Sequence, residues 1–142
     1  MAAASAGTLE VAEATDVPVI EFVAPMPGFP EDRRFVLVRL DEAGMLFALT
    51  AVDDENLRFL VMPPGAFFPE YAPEIDDESL AALGVTDVVG LLVLLVVTAG
   101  ATPRESTANL MAPIVMYEPT RRAVQLVLSG SGLPVRAPLV RT

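Results

Sequence analysis

A chain of 142 residues that is 53% hydrophobic, with a mean hydropathy of +0.52, suits one folded domain with a real core and excludes disorder in bulk. The sequence contains no histidine, cysteine or lysine. Their absence excludes ordinary zinc, haem and iron–sulfur sites, and it excludes catalytic nucleophiles that depend on an imidazole, a thiol or a lysine amine. We therefore expect no metal and no cofactor. A formal charge of −10 keeps the domain soluble; it also repels nucleic acid, so we expect no direct nucleic-acid partner, and it attracts a basic protein.

The first residues, 1–16, are rich in small and polar side chains and have no clear period. They are predicted to form a mobile N-terminal tail, followed by one β domain at 17–142. The segment lacks the early positive charge and sustained apolar core of a secretory signal, so we expect a cytoplasmic protein.

The first half of the domain reads as strands separated by turns. In 24–30, three prolines and a glycine forbid regular structure, which predicts a stiff loop that presents Phe29. Alternating and β-branched patterns predict strands at 17–23, 35–40, 45–52 and 57–62.

The clearest helix pattern is at 75–84. Asp76 suits the N-cap, Ile75 and Leu80 stand at the hydrophobic-staple positions, and Gly84 suits the C-terminal cap. The apolar segment that follows, 88–101, is too short for a membrane helix, so we expect no membrane partner.

The segment 88–101 is predicted to be a strand buried on both faces, with Gly90 inside it. A hairpin is predicted at 114–117 and 123–128, and a last short strand at 135–140. Together these elements predict a mainly β fold: a small antiparallel β-barrel or a barrel-like sandwich with one or two short helices.

Three groups of residues suit a binding site. Asp53 and Asp54 in an acidic turn suit a basic partner or a divalent cation, but the turn lacks the ligand spacing and glycine of a calcium loop, which favours a solvated turn over a cation site. In 67–71, prolines flank aromatic residues; Tyr71 is the member expected to reach solvent, unless the segment folds back over the barrel. Thr107 and Asn109 either hold a turn or contact a partner, and Pro113 is expected to leave a neighbouring carbonyl unpaired at a sheet edge.

Five segments taken together resemble the flagellar assembly factor family, FliW, over roughly residues 19–140. The resemblance is carried by their order and by the run Thr107-Ala108-Asn109-Leu110-Met111-Ala112-Pro113-Ile114. The family's usual Leu-Gln-Ser is replaced here by Leu49-Thr50-Ala51. The matching segments are 27–29, 47–53, 67–71, 107–115 and 125–128.

The resemblance implies a protein that binds other proteins and is not an enzyme. Family members bind flagellin and the translational regulator CsrA, a small RNA-binding repressor of flagellin synthesis, and the two partners compete. The free protein is expected to be a monomer. The residues predicted to contact partners are Phe29, Asp53, Asp54, Tyr71, Thr107, Asn109 and Leu110.

Two other functions fit the residues without the resemblance. The hydrophobic content suits a β-barrel that holds a small apolar ligand. Paired carboxylates such as Asp53 and Glu70 suit an enzyme of the glycoside-hydrolase type, provided they face each other across a cleft.

Overall fold

The computed structural model describes residues 19–26, 28–54, 56–65, 67–102 and 105–139. The predicted tail at 1–16 lies outside the described residues. In chain order the elements are β1 (Val19–Phe22), β2 (Arg34–Arg39), β3 (Phe47–Ala51), β4 (Arg58–Met62), α1 (Asp77–Ala82), β5 (Leu91–Thr98), β6 (Thr107–Ala108), β7 (Ile114–Tyr117), β8 (Arg122–Gln125) and β9 (Ala137–Pro138).

Seven of these strands close into a barrel. The order round the ring is β5, β4, β3, β2, β1, β8 and β7, and β7 pairs with β5 to close it. All of these pairs are antiparallel except β1 with β8, where Glu21 lies beside Arg122. A ring with an odd number of strands cannot alternate direction throughout, so at least one pair has to be parallel. The predicted barrel is confirmed, but a wholly antiparallel sheet is wrong at this seam.

The inside of the barrel is filled by the side chains that alternate inwards along each strand. The rings of Phe22 and Phe35 meet edge to face, with centroids 5.3 Å apart. Each large apolar side chain buried there contributes about 1.5–3 kcal/mol to the free energy of folding. The inner core includes Ile20, Phe22, Phe35, Leu37, Leu49, Val61, Leu94 and Ile114.

Two further stretches of chain cover parts of the outside of the barrel. Leu83, the C-cap residue of the helix, packs against Val115 of β7. The segment after β4 packs Phe68 against Leu95 of β5, together with residues near the C-terminus. Since Leu94 of the same strand belongs to the inner core, β5 is buried on both faces, as the sequence predicts.

The helix is confirmed and lies inside its predicted range. Asp76 has the extended backbone of an N-cap residue, but its side chain makes no capping hydrogen bond. Gly90 was predicted inside the long strand, but β5 begins only at Leu91 because Gly90 has a φ of +86°, a left-handed value that strands do not use. The helix spans six residues, and no helix among the described residues is long and apolar enough to cross a membrane.

Candidate partner-binding site

The run that carries the family resemblance is a wide bulge between β6 and β7. β6 pairs with the end of β5, Ala108 lying opposite Val97, and β7 pairs with its first half, Ile114 lying opposite Leu94. Five residues, 109–113, therefore stand opposite the two residues Leu95 and Val96 of β5. The sequence predicted a turn here and missed the strand before it, because two residues are too few to show an alternating pattern.

Asn109 organises the bulge through its side chain. Its Oδ1 accepts hydrogen bonds from the backbone N–H groups of Met111, at 2.9 Å, and Ala112, at 3.2 Å. Its own N–H donates to the carbonyl of Val96 at 2.9 Å. Asparagine suits this position because its side chain readily mimics a backbone turn. The carboxamide oxygen is thus engaged within the chain.

The carbonyl oxygens of the bulge accept hydrogen bonds from several distant parts of the chain. The Tyr71 hydroxyl donates to the Leu110 carbonyl at 2.6 Å, and Gln125 Nε2 donates to the Ala112 carbonyl at 3.0 Å. The Leu126 N–H donates to the Pro113 carbonyl at 2.9 Å. β7, which begins directly after Pro113, is paired on both sides, so the expectation of a sheet edge here is wrong. The expected unpaired carbonyl stays a prediction, because Pro113 has no N–H to donate to the carbonyl of Leu126 opposite it.

Tyr71 joins the aromatic segment to the bulge. Burial raises the pKa of the Tyr71 hydroxyl to about 12, and that hydroxyl donates to Leu110, itself largely buried. Phe68 is buried, and Phe67 packs against the same outer cluster. The segment therefore folds back over β4 and β5, which was the alternative to an exposed aromatic anchor.

Phe29 is not held out in solvent by its proline-rich loop. Its ring is half-buried against Phe59 of β4, with centroids 5.3 Å apart and planes at 84°. The same ring packs against the inner core. Burying the apolar surface of the ring against the core is more favourable than leaving it in water, so the ring covers the core and does not project into solvent.

Asp53 and Asp54 lie exposed in the turn between β3 and β4. Asp53 forms an ion pair with Arg34 at 3.4 Å, and Asp54 Oδ1 accepts the N–H of Asn56 at 3.1 Å. Within the described part of the chain, no group of acidic side chains is arranged to hold a metal ion. The turn is therefore held by its own local hydrogen bond and one surface ion pair.

The predicted residues fall into two groups. Tyr71, Asn109 and Leu110 meet at the bulge, and Thr107 lies half-buried in β6 between β5 and β9. Phe29 lies in the loop between β1 and β2, and Asp53 and Asp54 lie in the turn between β3 and β4. Because neighbouring strands here are antiparallel, this loop and this turn lie at the end of the barrel where β5 terminates. The carboxylates considered for an enzyme, on Asp53 and Glu70, are both exposed.

Sequence reasoning missed two residues that fix these loops. Gln125 was part of a matching segment, but its bond to the bulge depends on the pairing of β8 with β7. Arg33 donates from Nε to the Phe22 carbonyl at 3.1 Å and from a terminal nitrogen to the Val23 carbonyl at 2.7 Å. No local pattern reveals such contacts, since each partner is at least ten residues away.

The fold defines the class of protein: a closed seven-stranded mixed β-barrel with a single short helix among the described residues, packed on its outside. A crystal structure of a flagellar assembly factor FliW matches it with a TM-score of 0.81 and 27% sequence identity, covering 94% of this chain and 91% of that one.

Comparisons of sequence agree with the structural match. The model of the FliW protein family matches residues 2–139. The flagellar assembly factor FliW of Symbiobacterium thermophilum is 36% identical over 122 residues, which cover 85% of this chain and 88% of the relative. The FliW of Bacillus subtilis is 33% identical over 121 residues, 85% of each chain. The chain therefore belongs to the FliW family of flagellar assembly factors, and the match includes most of the segment predicted as a tail.

Proposed function

We propose that this protein is a non-enzymatic, cytoplasmic flagellar assembly factor that binds flagellin and CsrA. By binding CsrA it relieves repression of flagellin synthesis, and free flagellin competes for it, so flagellin limits its own translation. The observation that carries the proposal is the family match over residues 2–139, supported by relatives named as flagellar assembly factors.

The distribution of charge supports a basic partner. Between Arg58 and Arg104 the sequence contains six carboxylates and no basic residue. All six are exposed, and none forms an ion pair with an arginine that the structure describes. We name these six carboxylates the acidic surface. Asp77 and Glu78 lie in α1 and Asp76 is its N-cap residue, and the other three precede or follow the helix along the chain: Glu70, Glu74 and Asp87.

An acidic surface of this kind suits an RNA-binding repressor, because such a protein carries clustered cations for phosphate. Once docked, the same carboxylates would repel the phosphates of the messenger RNA. The antagonism is then partly electrostatic, and it weakens as salt screens the charges over a Debye length of about 8 Å at physiological ionic strength.

The first experiment is co-elution of the protein with flagellin and with CsrA, separately and together. We expect each to co-elute and one to displace the other. If neither binds at low salt, the proposal fails, although the family and fold stand.

A pair of matched variants then tests the acidic surface. Glu70→Lys with Glu74→Lys should slow association with CsrA by about tenfold at low salt, because it reverses charge where the partner approaches. Glu31→Lys with Glu42→Lys makes the same change in net charge on exposed turns away from α1 and should leave the association rate nearly unchanged. Equal slowing by both variants would show that only net charge matters.

A further inference from the structure

The segment 133–139 is held against β6 by a short ladder, and we name this segment the strap. Its strand, β9, pairs with β6 over two residues, and Ala137 lies directly opposite Ala108. By contrast, β2 and β3 pair over five residues. The strap is therefore attached to the sheet through fewer strand contacts than the strands that form the ring.

Two backbone hydrogen bonds outside the ladder hold the ends of the strap. The N–H of Leu110 donates to the carbonyl of Pro134 at 3.0 Å. The N–H of Leu139 donates to the carbonyl of Ser106 at 3.2 Å. Both bonds join the strap to β6 or to the residues beside it, so they break together when the strap leaves β6.

A hinge precedes the strap. Residues 129–132 read Ser-Gly-Ser-Gly. Gly130 and Gly132 have φ values of +81° and +76°, and a Cβ built on either glycine would meet nothing within 4 Å. Glycine changes between left-handed and right-handed conformations at little cost, and Gly/Ser sequences are flexible. The strap can thus swing about 129–132 while the barrel stays folded.

The strap has the alternating pattern of a strand but buries little of its apolar surface. Its apolar residues at alternate positions are Leu133, Val135, Ala137 and Leu139. Only Ala137 is buried, Leu133 and Leu139 are half-buried, and Val135 is 49% exposed. A segment with so few buried contacts opens at a lower free energy than the whole domain unfolds.

Opening of the strap would uncover the edge of β6 and part of the bulge. Since β5 already pairs with the other edge of β6, the strap lies on the one edge where a strand can be exchanged. The exchange would free the N–H of Leu110 and the carbonyl of Ser106, which a new strand can bond. Leu110 was predicted to contact a partner and is only 8% exposed beneath its neighbours.

The charge beside the bulge indicates which partner fits. Tyr71, which donates to the Leu110 carbonyl, directly follows Glu70 of the acidic surface. The acidic surface therefore reaches the bulge, and the strap itself presents an exposed arginine there, Arg136. We propose that an extended segment of the basic partner displaces the strap and pairs with β6 in its place. The inference rests on the proposed function, in which CsrA is that partner.

A disulfide that locks the strap tests the proposal. The chain has no cysteine, so Ala108→Cys with Ala137→Cys can form only one intramolecular disulfide. Opposite residues of antiparallel strands have Cα atoms about 4.5–5.5 Å apart, which a disulfide spans. We expect oxidation to weaken CsrA binding at least tenfold, and reduction of the same sample to restore it. Circular dichroism of both forms checks that the fold is unchanged.

A second disulfide and a loosened strap give the controls. Val36→Cys with Thr50→Cys joins opposite residues of β2 and β3, and its oxidation should leave CsrA binding unchanged. Leu139→Ala removes a half-buried side chain of the strap. It should tighten CsrA binding by about two- to fivefold, because less of the binding free energy is spent on opening the strap.

Four outcomes would overturn the proposal. Equal CsrA binding by the oxidised and reduced strap variant shows that the strap stays in place, while the proposed function stands. Equal weakening by both disulfides, or weaker binding by Leu139→Ala, removes the displacement step. Loss of flagellin binding alone in the locked protein removes the basic partner. If wild type binds no CsrA at all, the proposed function fails, and the inference fails with it.

Discussion

The bulge at 109–113 and the outward face of β1 and β2 differ in how their residues are used by the chain. In the bulge, the motif's polar side chain and backbone groups bond to other parts of the same chain, from Tyr71 to Leu126. On the outward face of β1 and β2, Val19 and Val38 are 42% and 45% exposed. The comparison teaches that the most distinctive sequence in a small barrel can serve the fold, while its exposed apolar side chains belong to no motif.

The largest effect that separates the two regions is expected from Asn109→Ala. Two backbone N–H groups lose their acceptor, so the free energy of unfolding should fall by about 2–3 kcal/mol. Urea denaturation followed by circular dichroism measures the loss. Asn109→Asp keeps an acceptor oxygen and should lose less than about 1 kcal/mol.

Binding by the folded fraction of Asn109→Ala decides whether this residue also contacts a partner. Flagellin and CsrA binding should be measured well below the melting temperature. If Asn109→Ala loses binding while its melting temperature is unchanged, Asn109 is a contact residue and not a residue that stabilises the bulge.

A smaller effect is expected from Tyr71→Phe, which removes one hydrogen bond to Leu110 and should cost about 1 kcal/mol. The pKa of Tyr71 is raised in the folded state, to about 12 from 10.0, because burial favours the neutral phenol. The contribution of neutral Tyr71 to the free energy of unfolding is complete below about pH 10 and is lost as the pH rises towards 12.

The pH dependence gives this prediction its control. Between pH 9 and 11.5 the unfolding free energy of the wild type should fall more steeply than that of Tyr71→Phe. Tyr117→Phe is the matched variant, since it removes the other tyrosine hydroxyl of the chain. Parallel curves for wild type and Tyr71→Phe would mean that Tyr71 does not anchor the bulge.

The smallest effect on stability is expected from Asp53→Asn. Asp53→Asn breaks the ion pair with Arg34, but both side chains are more than half exposed, so the loss should not exceed about 0.5 kcal/mol. Urea denaturation measures the loss, and a loss above about 1 kcal/mol would show that the fold depends on this ion pair more than a surface pair allows.

Much of the secondary structure could be predicted because it depends on local patterns. The strands at 34–39 and 114–117 and the helix after Asp76 follow from alternation, β-branching and capping residues. The limit of β5 at Gly90 could not be predicted, because composition does not show which glycine has a positive φ. The partner-contact residues stay predictions, with Phe29 and Leu110 packed further inwards than their roles as contacts suggested.

The sequence by itself determined the composition of the core, the mainly β class and the family, since these depend on residue types and their order along the chain. Only the tertiary structure decided that the ring closes through the parallel pair β1 and β8, that Gln125 reaches the Ala112 carbonyl, and that Val19 lies opposite Val36. The physical reason is that pairing between distant strands fixes which side chains become neighbours, and a local pattern carries no record of that pairing.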